Sequence, residues 1–131
     1  MEITQYVDFI KEQFKDIATE YGFNWRQQNA GILFLEKKNV TIRFATHYRE
    51  DGVTFTIYNN AKKQSYSFST LLEKLGYESL FDILDDGEKQ INEEYKGTIK
   101  CLIYPAAILL KKHFPALLEG DFSSIGKGNP L

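Results

Sequence analysis

Between Gly31 and Asn60 the chain alternates apolar and polar residues in three consecutive runs, and no other stretch limits its possible folds as strongly. Ile32 to Glu36, Val40 to Tyr48 and Val53 to Tyr58 are separated by Lys37-Lys38-Asn39 and Glu50-Asp51-Gly52. A side-chain period of two in Val, Ile, Thr, Phe and Tyr, broken by short polar links, predicts an antiparallel meander. Val40, Ile42 and Phe44 alternate with Thr41, Arg43 and Ala45; Val53, Phe55 and Ile57 alternate with Thr54, Thr56 and Tyr58. One sheet face is therefore strongly apolar and the other mixed, as expected when helices cover a single side. Ile32, Leu33, Phe34 and Leu35 are apolar on both faces. That run is central under a partial second cover, or its mixed face meets a partner.

Helical spacing dominates on either side. Ile3, Val7, Ile10, Phe14, Ile17 and Tyr21 form one apolar stripe, and Gly22 supplies a stop. Phe23 to Gln27 is the expected first strand and Ser65 to Phe68 a short fifth one. Thr70 with Glu73 has capping-box spacing for a helix through Leu71, Leu72 and Leu75 that ends at Gly76. Asp85-Asp86-Gly87 opens the longest helical stretch, with Ile91, Tyr95, Thr98, Ile99, Leu102 and Ile103 in phase. Pro105 should kink or end it, since it lacks an N–H and its ring clashes with the preceding turn, and Ala106 to Phe114 resumes the helix. The expectation is one α+β domain over residues 1–131. A helix spans 1–22, a four- to five-stranded antiparallel sheet 23–68, helices covering one face 69–120, and an irregular Ser/Gly/Pro-rich tail 121–131.

Composition narrows the function classes. A chain of 131 residues, 43% hydrophobic and 26% charged, can bury a core without metal or disulfide support and is not disordered. With 16 basic against 18 acidic residues the net charge is −2, which disfavours nucleic acid as the main ligand. Cys101 is the single cysteine, excluding an internal disulfide and a cysteine-rich zinc site; it reads as a small apolar helix residue. No apolar run approaches the roughly 20 residues that span a bilayer, and no basic segment precedes an apolar one at the N-terminus. A cytoplasmic protein with no membrane contact is expected. Composition does not set the oligomeric state.

No catalytic or cofactor signature emerges. His47 has Glu50 and Asp51 near enough to orient it, but no nucleophile beside it. His113 has only Leu109, Leu110, Ala116 and Leu117 at helical ligand spacing. Ser123-Ser124-Ile125-Gly126-Lys127-Gly128 lacks the spacing of a phosphate loop. Asp85-Asp86 and Glu93-Glu94 are adjacent residues, which on a helix point in different directions. The chain is expected to use no metal and no cofactor, and not to be an enzyme.

The distribution of charge is more informative. From Glu73 to Glu94 eight acids face Lys74 and Lys89, a local charge of −6, whereas from Gly22 to Tyr66 seven basic residues against three acids give +4. Glu78, Asp82, Asp85, Asp86, Glu88, Glu93 and Glu94, with Tyr77 and Phe81 among them, form a candidate surface for a basic protein partner. The competing explanation is that helix N-termini attract acids. A rival function uses Arg26, Lys37, Lys38, Arg43, Arg49, Lys62 and Lys63 with Tyr48 and Tyr58 to hold single-stranded nucleic acid on the sheet. A third places a small ligand, or an enzyme's substrate, between sheet and helices.

The layout also resembles a family. The amphipathic first helix, the meander, the Leu71-Leu72-Glu73-Lys74-Leu75-Gly76 helix end, the acidic segment and the closing Phe114-Pro115-Ala116-Leu117-Leu118-Glu119-Gly120 are similar to small cytosolic immunity proteins of bacterial toxin systems, including contact-dependent growth inhibition. That resemblance implies a stoichiometric inhibitor that occludes a cognate toxin domain, often a nuclease with a basic cleft. It carries over no catalytic residue.

Overall fold

The computed structural model describes residues 6–46 and 52–131. Ile3 of the helical stripe, and His47, Tyr48, Arg49, Glu50 and Asp51 of the second turn, lie outside the described residues.

The fold is α+β, an antiparallel sheet with helices packed against it. Strands β1 (Asn24–Asn29), β2 (Ile32–Glu36), β3 (Val40–Thr46), β4 (Val53–Asn59), β5 (Gln64–Ser67) and β6 (Asn129–Pro130) lie in chain order. Among the described residues the strand count is six, one more than the upper expectation, because the tail returns to the sheet. The register sets the two faces apart. Leu35, Ile42, Ile57 and Tyr66 stand opposite one another on the inner face, and Arg26, Phe34, Arg43, Thr56 and Ser67 on the outer. Every inner residue of that row is buried, whereas Phe34 and Arg43 are half-buried on a face that the helices leave open. Phe34 has a partial cover of its own, the Arg26 guanidinium 4.3 Å from its ring.

The first helix divides in two, α1 (Val7–Gln13) and α2 (Lys15–Tyr21), with Phe14 at the join. Hydrogen bonds from Phe14 N to Ile10 O and from Ala18 N to Phe14 O, both 2.9 Å, carry the ladder across. The stripe is therefore continuous, and Phe14 drives edge-on into Phe44 at 4.8 Å. Gly22, at φ +74°, lets Phe23 N reach back to Ala18 O, as the sequence led one to expect of a glycine stop.

Helix α3 (Phe68–Leu75) begins three residues earlier than the Thr70–Glu73 spacing suggests. Ser67 is the cap, accepting from Thr70 N at 3.2 Å, and Phe68 is thereby turned inward onto Phe55 at 5.2 Å. A 3₁₀ turn (Leu80–Ile83) and α4 (Asp86–Glu93) follow.

The interruption expected at Pro105 falls elsewhere. The chain leaves helix after α4, turns through Gly97 at φ +84°, and re-enters it as α5 (Lys100–His113), which runs through Pro105. Proline at that position removes the N–H that would serve the Cys101 carbonyl four residues back. The Asn92 side-chain amide takes its place, donating from Nδ2 to Cys101 O at 3.2 Å. A short α6 (Pro115–Leu118) closes the helical layer.

In the tail, Phe122 and Ile125 are buried and Phe122 stacks on Tyr66 at 5.4 Å. Tyr66 donates its hydroxyl to Gly126 O at 2.6 Å, and Gly128 N donates to Gln64 Oε1 at 3.2 Å. Gly128 has to be glycine, since a Cβ there would stand 2.5 Å from the Ser65 carbonyl oxygen and 2.8 Å from the Tyr66 ring. Gly128→Ala is accordingly expected to lift β6 off β5 and to lower stability by about 1–3 kcal/mol. Urea unfolding and amide exchange at Ser65 and Asn129 measure this; unchanged protection would contradict the close packing.

Candidate functional site

The acidic residues singled out from sequence come together on one lobe built from the end of α3, the 3₁₀ turn and α4, but many are engaged locally. Asp82 accepts from Ser79 N at 3.1 Å and holds the start of the 3₁₀ turn. Asp85 and Glu88 form a reciprocal capping box on α4, Glu88 N donating to Asp85 Oδ1 at 2.8 Å and Asp85 N to Glu88 Oε1 at 2.9 Å. Lys112 reaches across from the last turn of α5, 2.7 Å from Glu88 and 3.6 Å from Asp85.

These contacts shift Asp85 and Lys112. Asp85 is held below the ordinary carboxylate range chiefly by the Glu88 backbone N–H, with Lys112 adding to it. Lys112 is pushed up, first by its hydrogen bond to Glu88. Tyr104 is raised by burial and then by the nearby Glu88 carboxylate. Glu93 pairs with Lys96 at 3.4 Å along the chain. Glu78, Asp86 and Glu94 are exposed.

The two aromatics differ. Tyr77 is half-buried, edge-on to His113 at 6.3 Å. Phe81 is 47% exposed, with the Lys89 ammonium 5.2 Å from its ring. Ile91 on α4 is 45% exposed. Among the described residues the large apolar side chains this open to solvent are Phe81, Ile91 and Leu131, so two of the three belong to the acidic lobe. A large apolar side chain left in water amid acids is the feature that sequence reasoning passed over in Ile91. Its phase on α4 identified it as helical but did not show that the expected core side was absent.

Beside Phe81 opens a groove of about 440 Å³ between α3, the 3₁₀ turn and the α4–α5 connection. Leu72, Leu80 and Leu102 wall it, and Glu78 and Glu93 stand at its margin. It adjoins a smaller cavity of about 190 Å³ reaching Val53, Phe55 and Phe68 beneath the sheet. A larger, more polar cleft of about 580 Å³ lies between the β4–β5 hairpin and the C-terminal residues, lined by Lys62, Asp121 and Lys127 among others. His113 lines none of the three.

Among the described residues, the basic side chains of the sheet do not assemble into one surface, and Arg49 and Tyr48 lie outside the described residues. Arg26 and Arg43 share the open face with Tyr58, but Arg26 is tied to Glu36 by two hydrogen bonds of 2.7 and 3.2 Å. Lys37 turns away to donate to the Tyr21 carbonyl at 3.1 Å, over the Phe23 ring at 4.8 Å, and burial lowers its pKa. Lys38, Lys62 and Lys63 lie in the turns at the same end. Among the described residues no three His, Cys, Asp or Glu side chains are grouped to hold a metal ion, and no helix is long and apolar enough to cross a membrane.

No protein-family model matches the chain, and no curated protein or solved structure matches it either.

Proposed function

We propose that the protein is a binding inhibitor of the immunity type, which occludes a basic partner, such as a toxin domain, through the acidic lobe. The observation that carries this reading is the coincidence of exposed Phe81 and Ile91 with a segment of eight acids and two lysines. Apolar anchors within a surface of predominantly negative charge suit a protein partner of the opposite sign: the anchors supply affinity, and the charges speed encounter and select the partner. Caps and the Lys112 bridge occupy Asp82, Asp85 and Glu88, and Lys96 pairs with Glu93, so that Glu78, Asp86 and Glu94, with Glu73 on α3, are the acids whose charge is presented outward.

The test uses Glu78→Gln, Asp86→Asn and Glu94→Gln together, a variant that keeps both capping arrangements. Tagged full-length protein is used to capture a stoichiometric basic partner from the cell that encodes it. The triple variant should then associate at least about tenfold more slowly at low salt, with a flatter salt dependence. An unchanged association rate would reject the lobe. A short oligonucleotide bound at low salt with a steep salt dependence would move the function to the open sheet face instead.

A further inference from the structure

The two edges of the sheet are finished differently. β6 is two residues long, and one of them is Pro130, which has no N–H to offer a further strand. β1 is six residues long, contains no proline and carries one charge, on Arg26. Such an edge is a template for another strand. The ladder shows which of its peptide groups are open. Lys37 N bonds to Val40 O and Thr46 N to Gly31 O, both at 2.9 Å, so odd-numbered residues of β2 turn their peptide groups to β3 and even-numbered ones to β1. Glu36 and Phe34 therefore hold Asn24 and Arg26, while the N–H and C=O of Trp25 and Gln27 point away from the sheet. Among the described residues no side chain or turn bonds to these groups. A bulge between Gln27 and Asn29 ends the regular edge.

We propose that β1 receives an antiparallel extended segment of another protein, with a carboxylate opposite Arg26 and a β-branched residue opposite Trp25. The outward N–H and C=O of Trp25 and of Gln27 supply the main-chain hydrogen bonds that give affinity, and side chains select the segment. Trp25 is half-buried in the row of Leu35, and a β-branched neighbour on its open side extends that row. Arg26 uses Nε and Nη2 on Glu36 and keeps Nη1 to donate to a second carboxylate. The Lys11 ammonium, 5.9 Å from the Trp25 ring, adds a positive charge that disfavours a basic segment. A second copy of this chain does not fit. The two-fold register that uses the outward groups of both copies sets Trp25 against Gln27 and each Arg26 against the other, and like charges directly opposite are destabilising. No residue of the acidic lobe takes part, so the edge and the lobe stand or fall separately.

The probe is the peptide acetyl-Ser-Thr-Glu-Val-Ser-amide, titrated into the ¹⁵N-labelled full chain. In the antiparallel register its valine meets Trp25, its glutamate Arg26 and its threonine Gln27. Without peptide, amide exchange at Trp25 and Gln27 should be at least about tenfold faster than at Arg26, and saturating peptide should slow it. Methylating the peptide's threonine and valine nitrogens, which face β1, should abolish binding; methylating the glutamate nitrogen, which faces away, should weaken it far less. Exchanging that glutamate for lysine should weaken binding about three- to tenfold. Gln27→Pro removes an outward N–H and no ladder bond, so it should keep the urea midpoint and lose the peptide. Equal binding by the doubly methylated peptide, shifts centred away from β1, or none up to about 10 mM peptide overturn the strand addition. A lysine peptide that binds equally well overturns the acidic segment. Protection of Trp25 and Gln27 that grows with protein concentration alone gives the edge to a second copy and overturns the proposal.

Discussion

Replacing Asn92 by aspartate is expected to lower stability by about 3 kcal/mol at neutral pH, and by progressively less as the solution is acidified. The two side chains have the same size, so packing is preserved. What changes is that the donor to Cys101 O is lost and a carboxylate is buried against that carbonyl. Burial raises the introduced group's folded pKa above its unfolded value of about 3.9. The folded state therefore binds the proton more tightly, and stability falls as pH rises through this window. The loss is complete above the folded pKa and disappears below the unfolded one, where the neutral acid can donate to Cys101 O. Urea midpoints for both proteins across this range measure the effect; a loss independent of pH would show that the site is wet. A cycle with Pro105→Ala isolates the origin. Alanine restores the backbone N–H to Cys101, so Asn92→Leu should be about 1 kcal/mol less damaging in that background.

Phe44→Ala should be the most damaging single truncation in the sheet, at about 3–5 kcal/mol. Phe44 is fully buried and touches three rings, Phe14 at 4.8 Å, Phe55 at 5.9 Å and Trp25 at 6.0 Å. It thus joins the α1–α2 junction, β1, β3 and β4, and rigid rings cannot close the void. A loss of that size is a large part of the roughly 5–15 kcal/mol that holds a domain together. Phe34→Ala is the control, because Phe34 projects half-buried from the open face, with the Arg26 guanidinium 4.3 Å from its ring. Its loss should stay near 1 kcal/mol. Denaturant midpoints at unchanged slope decide both, and equal losses would mean that the two sheet faces are equally covered.

The contrast between these phenylalanines was readable in advance, because a period of two assigns each strand residue to a face without knowledge of its neighbours. Leu35, Ile42 and Ile57 fell on the buried side for that reason. The two-sided apolar character of β2 was also visible, and the structure resolves it into a buried pair, Leu33 and Leu35, and a half-exposed pair, Ile32 and Phe34. Features that depend on contacts between distant residues were hidden. Pro105 is tolerated in mid-helix because Asn92, in another helix, supplies the missing donor. Ser67 outranks Thr70 as a cap because Phe68 has to turn inward against Phe55. The glycines near the C-terminus read as slack, though Gly128 is there because Ser65 and Tyr66 leave no room for a side chain. The candidate site divides in the same way. The acids were evident as a cluster, but their engagement by Lys112 and by helix caps was not. The groove is lined from separate segments that no local pattern connects, and Asn92 looks like any polar residue on a helix.

The connectivity of the sheet also carries an order of assembly. Strands β1 to β5 are neighbours in sequence, so each pairing closes a short loop. β6 comes from the far end of the chain, with Gly128 bonded to Gln64 across 64 positions. Closing a flexible loop becomes less favourable by about 0.6 kcal/mol with each doubling of its length, so that join is the most entropically demanding in the sheet. It is made by two residue pairs, Gln64 with Pro130 and Ser65 with Asn129. Nothing in the pairing itself compensates for the distance. What holds the last strand is the anchorage before it, Phe122 and Ile125 in the core and the Tyr66 hydroxyl on Gly126. The sixth strand is therefore expected to be the final piece to dock and the first to be released.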